Sequence, residues 1–584
     1  VMQLTVELEK VFGSLSKTLF FEYQTIEQIT EYFLEEHYQK LASLLDLNIT
    51  DNIAEKAGGK NLSTPKAYDA QMDYRFKKSS ATPESTSFDA SLDIAIVGLS
   101  GQYPESHNVS EFWKNLRDGK DCITTVPESR WDWKTYYSQE PSDMSRHASK
   151  WGGFIADVDK FDPLFFNISP LEAIQLDPQE RLFLEHAWTA MEDAGYQRED
   201  LQRKETLAGQ VGVYVGVMYG HYQLFGAEES LRENPTAVGG VYASIANRVS
   251  YVLNLQGPSM AVDTMCSSSL TTLHLACQDL KLGRTNLALA GGVNLSIHPN
   301  KYLALSMGQF ISSRGRCESF GEGAEGYIPG EGVGVVLLRR LSDAEVDGDH
   351  IYGVIKGSAV NHGGKTNGYT VPNPHAQQDV IRRVLEESRI DPRAITYIEA
   401  HGTGTKLGDP IEITGLSKAF AKSEATQSRW IGSVKSNIGH CEAAAGIAGL
   451  TKVLLQMRHG QIVPSLHSEV LNPNIDFTAN KFSVNQQLRD WPRPVIDGKT
   501  TSRMAGISSF GAGGSNAHVV VEEYYSESRE MLNIERPVMI VLSAKNTERL
   551  KEYVEKLLQF IQTTQTSKLS RGFNLENLAY TLQT

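Results

Sequence analysis

The stretch Asp263-Thr264-Met265-Cys266-Ser267-Ser268-Ser269-Leu270 follows a short apolar run and precedes a helical pattern. The run from Met260 to Val262 predicts a buried strand, and the pattern after Cys266 predicts a helix running towards Lys281. A thiol at a helix N-terminus lies at the positive end of the macrodipole, which favours the thiolate. The stretch therefore predicts a strand-to-helix turn that carries a cysteine nucleophile. A buried structural cysteine is the alternative.

Two histidines stand in equally distinctive settings. His401 lies in Glu399-Ala400-His401-Gly402-Thr403-Gly404-Thr405, and His440 ends the segment Lys435-Ser436-Asn437-Ile438-Gly439-His440. A lone histidine is usually a packed or surface residue, and we interpret His37, His221 and His298 in that way. His401 and His440 instead join Cys266 as members of one predicted site.

Short apolar segments alternate with helical patterns over most of the chain. This alternation predicts an α/β fold whose sheets are buried between helices. The predicted strands are Ile94 to Gly98, Val211 to Val217, Leu287 to Val293, Ile351 to Ile355, Ile395 to Glu399 and Val519 to Glu522.

The cysteine and histidine segments together resemble the β-ketoacyl synthase family, over roughly Asp93 to Tyr525. Further pieces of the family pattern stand in the expected order. They are Ile94-Ala95-Ile96-Val97-Gly98, Asp162-Pro163, Phe165-Phe166, Leu176-Asp177-Pro178-Gln179-Glu180-Arg181, Gly257-Pro258-Ser259, Gly330-Glu331-Gly332 and Ser509-Phe510-Gly511-Ala512-Gly513-Gly514-Ser515-Asn516-Ala517-His518.

The resemblance implies the thiolase fold, with two similar halves that stack as five layers, α-β-α-β-α. It implies that Cys266 accepts an acyl chain and that His401 and His440 stabilise the enolate formed when a malonyl thioester loses carbon dioxide. Lys435 would support the histidines and their water network, with an exposed lysine as the alternative. No metal or bound cofactor is implied, since phosphopantetheine arrives on carrier proteins.

Four further positions match binding roles in the family. Thr403 and Thr405 would bind the phosphopantetheine arm, although ordinary turn residues are the alternative. The amides of Cys266 and Ala512 would form the oxyanion hole. Fatty acid enzymes of single function usually carry a phenylalanine gate where this chain has Ala512, so an aromatic gate is in doubt. Met265 would line the acyl pocket, or simply pack in the core.

The resemblance is strongest to ketosynthases of modular polyketide synthases of the trans-acyltransferase class, in which a discrete acyltransferase loads the carriers. The predicted reaction is the decarboxylative Claisen condensation of a Cys-bound chain with malonyl-carrier protein. One alternative is a non-elongating domain that only transfers the chain. Another is a catalytically idle interaction module of the assembly line. A thiolase fits less well, because the neighbours of Cys441 do not match its second catalytic cysteine.

Composition narrows the function classes. The 584 residues include 56 Lys plus Arg and 70 Asp plus Glu, a formal charge of -14 without basic clusters, which argues against nucleic-acid binding. There is no apolar run long enough for a membrane span and no signal peptide. The five cysteines include no CxxC pair, which favours a reducing cytoplasm over disulfides and gives no support to a zinc site.

Four segments are predicted along the chain. Residues 1–47 have helical periodicity and resemble the C-terminal part of an acyl carrier protein that lacks its phosphopantetheine serine, with a helical hairpin of another domain as the alternative. Residues 48–92 predict a flexible linker. Residues 93–525 form the ketosynthase, a family of homodimers, and residues 526–584 begin a partial α/β flanking subdomain. The chain is thus expected to be a piece of a longer protein.

Overall fold

The computed structural model describes residues 2–16, 18–23, 25–44, 93–140, 143, 145–202, 209–421, 428–525, 537–566 and 574–583. The chain forms two compact units, Val1–Leu92 and Asp93–Thr584. The linker predicted for residues 48–92 lies outside the described residues. No described helix has both the length and the apolar character that a membrane crossing needs.

The N-terminal unit is helical, as its periodicity predicts. Its helices are α1 (Met2–Phe12), α2 (Leu19–Glu22), α3 (Ile26–Glu36) and α4 (Tyr38–Leu44). Phe12, Leu19 and Phe33 are buried together at its centre. Helix α3 begins at a capping box, in which Thr25 and Gln28 satisfy each other's backbone N–H groups.

The larger unit alternates strands and helices. Its strands are β1 (Ile94–Gln102), β2 (Thr124–Thr125), β3 (Trp151–Gly152), β4 (Val211–Gly216), β5 (Ser259–Val262), β6 (Leu287–Asn294), β7 (Gly332–Arg340), β8 (Gly353–His362), β9 (Ile395–Glu399), β10 (Arg429–Gly432), β11 (Gln461–Ile462), β12 (Phe482–Val484), β13 (Arg489–Asp490), β14 (Val495–Ile496), β15 (Lys499–Thr500), β16 (Met504–Phe510) and β17 (Ser515–Glu522). The strand predicted from Ile351 begins at Gly353 instead and continues to His362.

The helices of this unit follow the same chain order. They are α5 (Val109–Arg117), α6 (Trp133–Tyr136), α7 (Pro170–Gln175), α8 (Pro178–Asp193), α9 (Tyr222–Leu231), α10 (Tyr242–Leu253), α11 (Ser268–Lys281), α12 (Asn300–Met307), α13 (Leu341–Asp347), α14 (Pro374–Glu387), α15 (Gly408–Phe420), α16 (Lys435–Ile438), α17 (Ala445–His459), α18 (Thr547–Thr566) and α19 (Leu575–Gln583). Short 3-10 helices cover Pro163–Phe166, Asp200–Gln202, Pro392–Ala394 and Glu442–Ala444.

The main sheet consists of two halves with the same topology. One half has the order β5-β4-β6-β7-β1, and the other has the order β10-β9-β16-β17-β8 with β12 added beyond β10. In each half the first two pairings are parallel and the last two antiparallel. A short antiparallel ladder between Ile94–Ile96 and Gly353–Ile355 joins the halves. The prediction of two similar halves is confirmed.

Alternate side chains of the strands pack on different helices, which produces five layers. In β4, Tyr214 joins the core that contains residues of α11 and α17, whereas Val213 and Val215 join the core formed with α8 and α10. In β17, Val519 and Val521 likewise face the α11 and α17 core, whereas Val520 packs with α14 and α15. Helices α11 and α17 therefore form the central layer of the thiolase fold. Burial on both faces explains why the strands are continuously apolar.

Strand β5 differs from its prediction. It lies at the edge of the sheet and pairs only with β4, and its residues are half-buried, with Met260 36% exposed. The prediction of a buried strand from Met260 to Val262 is wrong in this chain. A central strand and an edge strand that is covered by another surface can have the same apolar composition. The sequence alone therefore does not show which of the two β5 is.

The described residues near the C-terminus contribute only helices, α18 and α19. The apolar segment from residue 537 to 544 forms neither a strand nor a helix. An isolated strand needs a hydrogen-bonded neighbour to be stable.

Candidate active site

Cys266 lies in the turn between β5 and α11. The residue before it, Met265, has a left-handed backbone conformation with φ 56°, which costs a residue with a side chain about 1–2 kcal/mol. Asp263 Oδ1 accepts a hydrogen bond from the Met265 N–H at 2.8 Å, and Ser268 Oγ donates to the Met265 carbonyl at 2.6 Å. Ser509 Oγ donates to the Cys266 carbonyl at 2.7 Å. The turn is thus tied down on both sides of the thiol.

Burial and, to a smaller extent, the Glu442 carboxylate raise the pKa of the Cys266 thiol to about 12. The Lys435 ammonium and the backbone N–H groups of Ala512 and Cys266 act in the opposite direction. Burial therefore opposes the thiolate that a helix N-terminus favours.

The loop after β16 brings the Ala512 amide to Cys266. A Cβ on Gly511 would lie 2.4 Å from the carbonyl oxygen of Thr264, so only glycine allows this approach. Gly514 has φ 96°, which also suits glycine. The structure therefore brings together the two predicted oxyanion-hole amides at the thiol.

His401 follows β9, and its imidazole accepts a hydrogen bond at Nδ1 from the Phe510 N–H at 3.3 Å. A neutral imidazole that accepts at Nδ1 carries its hydrogen on Nε2. The backbone N–H groups of His401 and Gly402 both donate to the Glu412 carboxylate at 2.8 Å. Side chain and main chain of His401 are thus both held in place.

His440 follows α16 and has the same tautomer. Its Nδ1 accepts from the Glu442 N–H at 2.9 Å, and its buried Nε2 has no hydrogen-bond partner among the described residues. The rings of His401 and His440 are 5.5 Å apart at an angle of 80°. Burial and the Lys435 charge hold the pKa of both imidazoles well below its usual value. Two neutral Nε2–H donors therefore meet in one buried site.

The remaining predicted residues surround this centre. Lys435 begins α16 and is buried, and its charge acts on both histidines and on Cys266. The Thr403 and Thr405 hydroxyls are 3.2 Å apart in the loop after His401, and the Thr405 hydroxyl also accepts from the Gly408 N–H at 3.0 Å.

Met265 lies beside the loop after β16. A Cβ on Gly513 would be 3.6 Å from Met265 Sδ and 3.0 Å from the Tyr369 hydroxyl. Met265, which precedes the thiol residue in the chain, therefore lies beside the glycine loop. The exposed Tyr369 lies beside the same loop.

Several residues of the site have no role in the sequence analysis. The structure adds Glu412, Ser509, Phe510 and the ion pair between Lys301 and Glu442. Glu442 lies two residues after His440 and Ser509 lies in the quoted glycine motif, so chain proximity could have indicated both. Lys301 lies far away in the sequence, and no local pattern marks it.

Comparisons with known proteins agree on one family. The family described as "Beta-ketoacyl synthase, N-terminal domain" matches residues 92–344, and "Beta-ketoacyl synthase, C-terminal domain" matches residues 352–469. "Ketoacyl-synthetase C-terminal extension" matches residues 472–579. The chain therefore belongs to the β-ketoacyl synthase family.

Among individual proteins, the chain is similar to ketosynthases of polyketide synthases. Polyketide synthase PksL of Bacillus subtilis is 55% identical over 598 residues, and polyketide synthase ThaG of Burkholderia thailandensis is 49% identical over 614 residues. All of this chain is covered in both alignments, but it spans only 13% and 11% of these relatives.

Two solved structures share the fold. The oxazolomycin ketosynthase domain OzmH KS7 of Streptomyces albus has a TM-score of 0.80 and 49% identity, with 84% of this chain and 83% of that chain covered. The ketosynthase from module 6 of the bacillaene synthase of Bacillus subtilis has a TM-score of 0.74 and 43% identity, with 84% and 80% covered. The chain is thus a ketosynthase domain, an acyl-transferring condensing enzyme. Such domains hold no cofactor of their own, because phosphopantetheine belongs to the carrier domains.

Proposed function

We propose that this ketosynthase extends a polyketide chain by decarboxylative Claisen condensation with malonyl-carrier protein. The observation that carries the proposal is a pair of neighbouring imidazoles that each accept at Nδ1 and so present an Nε2–H. The strand that binds His401 through Phe510 also binds the Cys266 carbonyl through Ser509. Acyl transfer alone needs a thiol and an oxyanion hole. Stabilising an enolate needs additional hydrogen-bond donors that face it.

In the first half-reaction, Cys266 Sγ attacks the thioester carbonyl of the chain on an upstream carrier. The oxyanion that develops is stabilised by the amides of Cys266 and Ala512. The bond to the pantetheine sulfur then breaks, and the thiol proton of Cys266 leaves with the displaced pantetheine thiol. The acyl chain now remains as a thioester on Cys266, next to Met265.

In the second half-reaction, the malonyl thioester loses carbon dioxide and becomes an enolate. The Nε2–H groups of His401 and His440 donate to its oxygen, and Lys435 supports them. The enolate carbon attacks the Cys266 thioester, the new carbon-carbon bond forms, and Cys266 leaves as a thiolate that takes up one proton. Thr403 and Thr405 bind the phosphopantetheine arm of the malonyl carrier.

A non-elongating domain that only transfers the chain is the nearest alternative. It would need the thiol and the oxyanion hole but no pair of enolate-stabilising donors. The tautomer of each imidazole is fixed by a backbone N–H, at Phe510 for His401 and at Glu442 for His440. Two backbone N–H groups are thus used to orient the imidazoles, which supports elongation. The same arrangement argues equally against an idle interaction module.

The same proposal includes the assembly around the domain. Residues 1–47 are the C-terminal part of an acyl carrier protein, 48–92 a linker, 93–525 the ketosynthase and 526–584 the start of a flanking subdomain. A discrete acyltransferase loads the malonyl carrier in trans. The five cysteines, all described and all free, support a cytoplasmic location.

We also infer a homodimer, because the open edge of β5 and the exposed Tyr251 of α10 offer an apolar surface that a second copy would cover. Helix α10 packs on β5, so the two features are neighbours. Light scattering of the purified protein should give twice the chain mass.

A two-stage assay tests the proposed function. Acyl N-acetylcysteamine thioesters of varied β-substitution are offered first, and the mass added to Cys266 is recorded for each. Malonyl-carrier protein is then added to the acyl-enzyme. We expect a β-ketoacyl-carrier two carbons longer, with release of carbon dioxide. Loss of the acyl group to the carrier without carbon dioxide would identify a transfer-only domain.

The Gly511→Ala variant tests the oxyanion hole. Its Cβ would clash with the Thr264 carbonyl and push the Ala512 amide away from Cys266. Because loss of one oxyanion donor costs about 10²–10³ in rate, acylation and condensation should both fall by about that factor. Single-turnover mass spectrometry measures both steps.

Gly513→Ala is the matched control in the same loop. Its Cβ would meet chiefly the Tyr369 hydroxyl, the end of a movable side chain, so both rates should stay within about tenfold of the parent. Equal losses in the two variants would argue against a specific role of the Ala512 amide.

A further inference from the structure

A fully buried ion pair joins Lys301 of α12 to Glu442. Both side chains are 0% exposed, and Lys301 Nζ contacts Glu442 Oε2. Lys301 Nζ also donates to Asn294 Oδ1 at 3.0 Å and to the Leu295 carbonyl at 3.1 Å. The ammonium is thus held by two hydrogen bonds and one ion pair, and Glu442 Oε2 accepts no hydrogen bond among the described residues. Such an arrangement holds the Glu442 side chain in one position.

The backbone of Glu442 is held together with its side chain. Glu442 has a left-handed conformation with φ 47°, which is unfavourable for a residue with a Cβ and persists only where its surroundings impose it. The Tyr327 hydroxyl donates to Glu442 Oε1 at 3.3 Å, which gives the carboxylate a second anchor. In this conformation the Glu442 N–H donates to His440 Nδ1 at 2.9 Å. The carboxylate anchors thus hold the amide that fixes the His440 tautomer.

Asn294 extends the same network to the main chain of His440. Its side-chain amide donates to the Gly330 carbonyl at 2.8 Å, and the Gly330 N–H donates to the His440 carbonyl at 2.8 Å. Lys301 therefore acts on both the imidazole and the backbone of His440, although it contacts neither.

Lys301 also balances charge. The Glu442 carboxylate is near enough to Cys266 to raise the pKa of the thiol. Without Lys301, the Glu442 side chain would be a buried carboxylate with no cation beside it, which is costly. It would also lose the ion pair that holds its amide against His440.

We propose that Lys301 is a positioning residue for condensation, which acts through Glu442 to keep His440 in the Nε2–H tautomer. The inference rests on the proposed function, because only enolate formation uses that hydrogen. Acylation of Cys266 uses the thiol and the oxyanion-hole amides, and it should therefore depend little on Lys301.

The Lys301→Met variant tests this in the two-stage assay. We expect acylation by an acyl N-acetylcysteamine thioester to stay within about threefold of the parent, because this step uses the thiol and the oxyanion-hole amides and not His440. Condensation of the acyl-enzyme with malonyl-carrier protein should fall by about a hundredfold, the effect of losing one preorganised donor.

Arg339→Met is the matched control. Arg339 lies near the end of β7 and forms another buried ion pair, with Asp349, which this variant breaks. The ratio of condensation to acylation should stay unchanged.

Two variants at Glu442 repeat the test without touching Lys301. Glu442→Gln keeps an oxygen that accepts from Lys301, and its ratio should stay within about tenfold of the parent. Glu442→Ala removes the anchor but keeps the backbone N–H, and its ratio should fall by about a hundredfold. If Lys301→Met does not fold, the ratios of condensation to acylation in Glu442→Gln and Glu442→Ala test the proposal by themselves.

Nitrogen NMR of 15N-histidine-labelled protein reads the tautomer directly. The His440 signal is identified by its absence in His440→Ala. It should show Nε2–H in the parent and in Arg339→Met, and a tautomer mixture in Lys301→Met or Glu442→Ala. Folded Lys301→Met and Glu442→Ala variants with the parent ratio and the parent tautomer would overturn the inference. A parent protein that acylates but never condenses would instead refute the proposed function.

Discussion

The Cys266→Ala variant is expected to take up no acyl group from any thioester and to form no condensation product. The reason is that each proposed half-reaction passes through the sulfur of Cys266, and no other thiol among the described residues has the Ala512 amide beside it. Removing a nucleophile typically costs about 10⁶ in rate. Intact mass spectrometry after incubation with an acyl N-acetylcysteamine thioester measures the loss.

Cys277→Ala is the matched control, since Cys277 lies on the same helix α11. It is also fully buried, and burial raises the pKa of its thiol to about 12 as well. It differs from Cys266 in its position within the apolar core between the two half-sheets. This variant should acylate like the parent, apart from a small loss of stability from the missing sulfur. Acylation that survives in Cys266→Ala would refute the assignment of the nucleophile.

The His401→Ala and His440→Ala variants are expected to acylate Cys266 normally and to lose condensation. Each removes one Nε2–H donor to the enolate oxygen, which is worth about 10²–10³ in rate. The double variant should lose more than either single variant. The measurement is the single-turnover rate of product formation from preformed acyl-enzyme. Normal elongation in either single variant would contradict the role.

The pH dependence gives the same pair a second test. A histidine whose pKa is lowered keeps its neutral form to a lower pH than a free histidine does. The pKa of both imidazoles lies well below its usual value, so both stay neutral between about pH 8 and pH 6. The condensation rate should therefore not fall near pH 6.5, where a free histidine takes up a proton.

His186→Ala is the control for both histidine variants. The His186 side chain is partly buried on α8, where its Nδ1 bonds to Ser100 Oγ at 2.8 Å and loss of hydration lowers its pKa to about 4. It shares the low pKa of the site histidines but not their location. Condensation should survive this change.

The sequence predicted the fold and the residues that lie together in the candidate site better than the chemical states of those residues. Cys266, His401 and His440 lie in motifs that can be read directly, and the two similar halves follow from the family resemblance. The protonation of the thiol could not be predicted, because it depends on how much of the surrounding protein excludes water. Likewise, the tautomers depend on which backbone N–H groups meet each Nδ1.

Two other features escaped the sequence for geometric reasons. Strand β5 is apolar whether it lies inside the sheet or at its edge, so its half-exposed position required the strand order. Lys301 and Glu442 meet only because α12 folds back onto the segment after His440. Pairings of this kind depend on tertiary packing and leave no periodic signal in the chain.

The shared topology of the two half-sheets divides the work of the site between two duplicated scaffolds. The turn after β5 carries the nucleophile, and the segment after β10, its counterpart in the other half, leads to Lys435 and His440. In the proposed reaction, the side that receives the acyl chain and the side that stabilises the extender are therefore built on separate frameworks. If Met265 lines the acyl pocket as proposed, changes around it would alter which chain is accepted while the hydrogen-bond donors keep their geometry, so that chain selectivity and the condensation chemistry would vary independently.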